Sequence, residues 1–113
     1  MNTQALDLSY LHEYTDGDQE MINELIEVFY ETADEALAEL KDALDAGDRA
    51  TWKASAHKLK GASGYVGAAA LKNLCFQAEE LSDNKNEPLD GIFTEISETY
   101  KVVCMALKQQ QSG

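Results

Sequence analysis

The chain has 113 residues, 44% of them apolar and 27% charged, the balance of one soluble globular domain. Nine basic against 21 acidic residues leave a net charge of −12, which repels nucleic acid and anionic membranes and suits basic protein partners or none in particular. No apolar stretch approaches the roughly 20 residues that span a bilayer, and the N-terminus MNTQALDLSY has no basic start or apolar run of a signal peptide.

In chain order, DLSYLHEY reads as one or two helical turns, broken by TDGD, with Asp18 placed to cap the next helix. That helix runs from about Gln19 to Tyr30, carrying Ile22, Leu25, Ile26 and Phe29 at helical spacing. Thr32 with Glu35 three residues on forms a capping-box signature, which predicts a kink or fresh start before a helix to Ala46. Gly47 suits the C-terminal stop and Asp48 the next cap. A helix from about Arg49 to Val66 comes next, closed by Gly67. Its successor carries Leu71, Leu74, Cys75, Ala78 and Leu81 and stops in SDNKNE. Pro88 fits the first turn of the last helix, whose stripe is Leu89, Ile92, Phe93, Ile96, Tyr100, Val103 and Leu107. The tail KQQQSG is expected to fray. No strand pattern appears. The expected fold is all-α, an antiparallel four-helix bundle with an extra N-terminal helical segment. It forms a single domain over 1–113, with a segment over 1–17 and the bundle over about 18–110.

Cys75 and Cys104 lie at apolar helical positions without metal or redox spacing. They read as buried free thiols of a reducing, cytoplasmic compartment.

The stretch AHKLKGASGYVG, residues 56–67, is poor helix material in the middle of a helix. With His57 at zero on a helical wheel, Trp52, Leu59, Ala62 and Val66 gather at about 140–220°, the core side. His57 faces the other way, among Lys53, Lys60, Gly61, Gly64 and Ala68. Each helical glycine costs about 1 kcal/mol relative to alanine. Glycines on the histidine's own face make sense as access for something large. Lys60 at i+3 and Lys53 at i−4 share that face, and Lys58 is adjacent in sequence. A cationic rim around a nucleophilic nitrogen suits a phosphoryl group. An ordinary imidazole, with a pKa of about 6.5, is mostly neutral and nucleophilic near pH 7. His12, with no glycines or flanking lysines, reads as a plain surface residue.

His57-Lys58-Leu59-Lys60-Gly61-Ala62-Ser63, followed by Gly67, resembles the signature of histidine-containing phosphotransfer (HPt) domains, and the helical pattern of nearly the whole chain is similar to theirs. The resemblance implies that His57 accepts a phosphoryl group on its distal nitrogen. It implies that Lys60 offsets the phosphoryl charge, that Gly61 leaves room for the partner, and that Gly67 closes the helix. Ser63 would tune packing or hydrogen bonding. Many members also hold the other imidazole nitrogen with a Gln or Glu about 22 residues later. Glu79 stands there, with Gln77 as the alternative.

By that resemblance the protein is a phosphocarrier without an ATP site or cofactor of its own. It would pass phosphoryl groups between receiver domains of response regulators, which supply Mg²⁺, or take them from a (hybrid) histidine kinase. No P-loop or glycine-rich nucleotide loop appears in the sequence. The docking surface would include small and apolar residues around His57, with Leu6 to Leu11 and Leu25 to Phe29 as candidates. Met1 and the early onset of the pattern favour a free-standing chain, and no apolar stripe is left over for a dimer, so a monomer is expected. The competing reading is a helical module that binds and regulates a receiver or kinase domain without being phosphorylated. A metal- or haem-binding bundle lacks a second suitably spaced ligand.

Overall fold

The computed structural model describes residues 6–111, and every element among them is helical. They are α1 (Ser9–Thr15), α2 (Gln19–Ala46), α3 (Arg49–Tyr65), α4 (Ala69–Leu81) and α5 (Asp90–Gln111). Helices α2 to α5 pack in a ring, α2 on α3, α3 on α4, α4 on α5 and α5 back on α2. Joined by short connections, they alternate in direction, as an antiparallel bundle requires. Helix α1 leans on α2. The first five residues of the N-terminal segment and the last two of the polar tail lie outside the described residues.

The caps follow local chemistry. The Asp18 carboxylate accepts from the Glu20 and Met21 N–H groups, and Asp48 accepts from Thr51 N–H. Gly47, at φ +69°, ends α2 in the left-handed region that glycine enters without strain. The core fills from all sides: Ile22, Ile26 and Phe29 of α2, Trp52 and Leu59 of α3, Leu71 and Cys75 of α4, and Ile96 and Leu107 of α5 are buried. The Trp52 indole N–H donates to the Ala78 carbonyl at 2.9 Å, which ties α3 to α4.

Three expectations are corrected. Helix α2 is continuous across Thr32, with no capping box. Phe29, Ala33, Ala36 and Leu40 keep one unbroken buried stripe there, so packing overrides the local capping signal. Helix α3 ends at Tyr65 with Val66 as its C-cap, within a residue of the expected end. Pro88 precedes α5, whose first turn is closed by Phe93 N–H donating to the Leu89 carbonyl. The polar tail is helical through Gln111. The Gln111 amide donates to Glu27, its carbonyl oxygen accepts from Tyr30, and Gln19 donates to the Gln110 carbonyl.

The α4–α5 connection is organised by Arg49. Its guanidinium donates to the carbonyls of Leu81, Asn84, Lys85 and Glu87, so one side chain at the start of α3 fixes the whole loop.

Candidate phosphotransfer site

The site begins with the direction α3 gives His57. With Trp52, Leu59 and Val66 fully buried, the helix turns His57 outward, and its side chain is 71% exposed. Helix α4 runs alongside and brings Glu79 to it. His57 Nδ1 lies 3.4 Å from Glu79 Oε1, a loose contact rather than a tight hydrogen bond. Glu79 is itself only 14% exposed, so its carboxylate is a fixed feature of the helix interface. A proton on Nδ1 faces that carboxylate and leaves the lone pair on Nε2. Gln77, the alternative partner, is an exposed residue of α4, and no contact between it and the imidazole is seen.

The Lys60 ammonium is 2.7 Å from Glu79 Oε2 and sits over the Phe76 ring, 5.4 Å from its centroid. One carboxylate therefore spans Lys60 and His57. Lys53 points toward the end of α4, where it pairs with Asp83 at 3.2 Å. Lys58 does not join the rim. It turns to α2 and pairs with Glu35 and Glu39 at 2.9 and 3.1 Å, which raises its pKa through those hydrogen bonds. On the wheel Lys58 stands about 100° from His57, on the side that α2 occupies. Each lysine of the expected rim thus already has a carboxylate partner.

The glycines divide by what surrounds them. A Cβ on Gly61 would meet nothing within 4 Å. A Cβ on Gly64 would touch the Lys72 side chain at 3.6 Å, so this glycine is bordered by a lysine from α4. Gly67, at φ +67°, is hemmed in by the Asp7 backbone, and Asp7 N–H donates to the Gly67 carbonyl. Ala68, placed on the exposed face by the wheel, is buried, because the chain has left α3 and turned into α4 before reaching it. Ser63 is buried and donates to the Leu59 carbonyl at 2.7 Å.

Sequence reasoning missed several neighbours. Ala50 and Ala54, two turns and one turn before His57, line an open groove with Lys53, His57 and Glu79. Their positions near 20° and 60° on the same wheel mark them as small residues on the histidine face. Phe76 lies off the apolar stripe of α4, exposed at 47%, one turn before Glu79. A large apolar residue off-stripe is a readable signal. Tyr10 and Tyr14 of α1 are exposed, and Tyr10 meets Tyr65 edge-on near Gly64 and Gly67. His12 is exposed on α1. Cys75 is buried and Cys104 half-buried, both free. Burial, chiefly, pushes the Cys75 thiol up to about 12, with the Glu79 charge adding to it.

A helical bundle that presents an exposed imidazole, backed by a carboxylate and a lysine from its own interface, defines a class of histidine-bearing helical module. The Hpt domain family model matches residues 24–110, and the chain belongs to that family. It is 26% identical to the phosphorelay intermediate protein rdeA of Dictyostelium discoideum, over 89% of this chain and 42% of that protein. It is 32% identical to histidine-containing phosphotransfer protein 2 of Arabidopsis thaliana, over 63% of this chain and 47% of that one. The chain thus spans less than half the length of these curated relatives. The crystal structure of histidine-containing phosphotransfer protein B from Pseudomonas aeruginosa superposes with a TM-score of 0.89 at 24% identity, covering 98% of this chain and 97% of that one. At that identity the likeness concerns the fold.

Proposed function

We propose that the protein is a phosphorelay intermediate that carries a phosphoryl group on His57 Nε2. The observation that carries this reading is the imidazole itself: turned to solvent on α3, with Nδ1 facing Glu79 and Nε2 left free. Membership of the Hpt family supports the same reading.

In the forward step the Nε2 lone pair attacks phosphorus of an aspartyl phosphate on a receiver domain. The acyl P–O bond breaks as the N–P bond forms, and the receiver's carboxylate departs with the bonding pair. The Nδ1 proton stays where it is, so the ring becomes a phosphorylated imidazolium whose positive charge faces Glu79. The reverse step, onto a second receiver or back onto the first, breaks the same N–P bond. Lys60, which shares the Glu79 carboxylate with His57, and Lys53, which lines the same groove, would exchange their carboxylates for phosphoryl oxygens. The Lys53–Asp83 pair is solvent-exposed, so loosening it costs little. Gly61, Gly64, Ala50 and Ala54 keep the face low enough for the partner's active site. The partner supplies Mg²⁺ and most of the positioning, as phosphoryl transfer demands. The protein acts as a carrier rather than a kinase, as a cytoplasmic monomer. No described helix is long and apolar enough to cross a membrane.

Incubation with a phosphorylated receiver, or with a histidine kinase and ATP, is expected to give label that survives alkali and is lost in acid. The His57→Gln variant is expected to take none. Label on that variant would place the phosphoryl group elsewhere than His57 and overturn the proposal, and receiver binding without label on the wild type would instead favour a module that regulates by occupancy.

A further inference from the structure

The lysine beside the imidazole is held by two groups of α4, and only one of them is a carboxylate. Lys60 is mostly covered, with 23% of its side chain exposed. Its ammonium contacts Glu79 Oε2 and lies over the Phe76 ring. Phe76 and Glu79 are three residues apart, so they stand side by side on α4 and face α3 together. A carboxylate alone does not fix a lysine. An ammonium is a flexible point charge that can approach either oxygen from several directions. The ring face adds a second, directional attraction that limits where the ammonium can sit.

Phe76 is otherwise hard to account for. It lies off the buried stripe formed by Leu71, Cys75 and Ala78, and half of it faces water. A polar residue there would suit an acidic, solvated helix better. The exposed ring is therefore in place for its contact with Lys60 rather than for the core.

We propose that Phe76 is a positioning residue for phosphoryl transfer, acting through Lys60. It holds the ammonium on the His57 side of α4, so that incoming phosphoryl oxygens find a cation already in place when they displace it from Glu79. This inference rests on the phosphocarrier reading for its consequence, though not for its geometry. Without the ring, Lys60 remains paired but samples positions away from His57, and the preorganised charge is lost.

The geometry is tested first by NMR on the full chain. The Lys60 ε-methylene protons are expected to be shifted upfield by the ring current in the wild type and in Phe76→Trp, and to return to ordinary values in Phe76→Leu. Unshifted protons in the wild type overturn the proposal. The consequence is tested with phosphoramidate, a small donor that needs no docked partner. Labelling of His57 is expected to slow about three- to tenfold in Phe76→Leu and to hold or rise in Phe76→Trp. In a Lys60→Ala background, Phe76→Leu is expected to change the rate less than twofold, because the residue it acts through is gone. An equal slowing with and without Lys60 assigns Phe76 a merely structural role and overturns the proposal, as does an unchanged rate in Phe76→Leu. Helicity and Tm are followed in every variant, and half-exposure of the ring predicts that the Phe76 variants fold. If the wild type takes no label from phosphoramidate or from any phosphorylated receiver, the phosphocarrier reading fails, and the role assigned to Phe76 in transfer fails with it. The shifts then still decide separately whether the ring holds Lys60.

Discussion

At the residue scale, His57 and its immediate surroundings obey simple constraints. A wheel fixes its direction because Trp52, Leu59 and Val66 must be inside, and the structure buries all three. What a wheel omits is the neighbour on each flank. Lys58 and Lys60 are two residues apart, so their directions differ by about 200°. One meets the acidic face of α2 and the other meets Glu79 of α4. Only the packing order of the helices separates them. Gly61 gives a prediction of opposite signs. Its Cβ position is open, and it lies inside a helix, so Gly61→Ala is expected to stabilise the protein by about 1 kcal/mol. The same methyl group stands on the face a partner must approach, so transfer from a phosphorylated receiver is expected to slow. Chemical denaturation and a receiver-transfer assay on one variant check both signs. Faster transfer would mean that Gly61 is not an access position.

At the scale of elements, helix ends were legible and continuity was not. Asp18, Gly47 and Asp48 act through groups within three or four residues, which sequence displays directly. The Thr32–Glu35 pair has the same local signature, yet the stripe through Ala33 and Ala36 is buried against the rest of the bundle and keeps α2 intact. Gly67 was legible as a helix end but not as a seat. The Asp7 backbone occupies the space a side chain would need, and Asp7 is far from Gly67 in sequence. Gly67→Ala combines that collision with a left-handed φ, which by itself costs a non-glycine residue about 1–2 kcal/mol. We expect a clear fall in Tm and loss of the ordered contact between Asp7 and residue 67, read from the protection of the Asp7 amide. Unchanged protection would show that the N-terminal segment can seat elsewhere. By comparison, Asp18→Ala removes only a cap and is expected to cost about 1 kcal/mol, measurable by urea unfolding.

For the whole molecule, composition announced helices and an acidic surface, and both are present. It could not announce which buried groups resist ionisation. Cys75 is held protonated by burial, with a pKa pushed up to about 12 from 9.0. Burial likewise raises Tyr100 and Tyr30, helped in Tyr100 by hydrogen bonds with Cys104 and Asp34. These groups favour the folded state while they stay neutral. Their contribution is complete below the pKa of the unfolded chain and is lost as pH rises through the folded value. Stability is therefore expected to fall from about pH 9 upward. At about 1.4 kcal/mol per pKa unit, Cys75 alone accounts for a few kcal/mol by pH 12. Urea unfolding of wild type and Cys75→Ala across this range tests it. The variant is expected to start lower and to lose stability with a shallower slope above pH 9. Parallel slopes would remove Cys75 from the account.

The uninterrupted α2 has a further consequence. At 28 residues it is about 42 Å long, while α3, with 17, reaches about 26 Å from the shared turn at Gly47. Beyond the end of α3 the first turns of α2 rest on α1 and on the glutamine-rich end of α5. The molecule thus has two tiers along one continuous core, a four-helix tier holding His57 and a thinner tier above it. Native-state hydrogen exchange should report them separately, with amides near Met21 and Leu107 opening without those near Leu59. A tag or fused domain placed at the thin end would then load the tier that can yield, while the imidazole keeps its bearing.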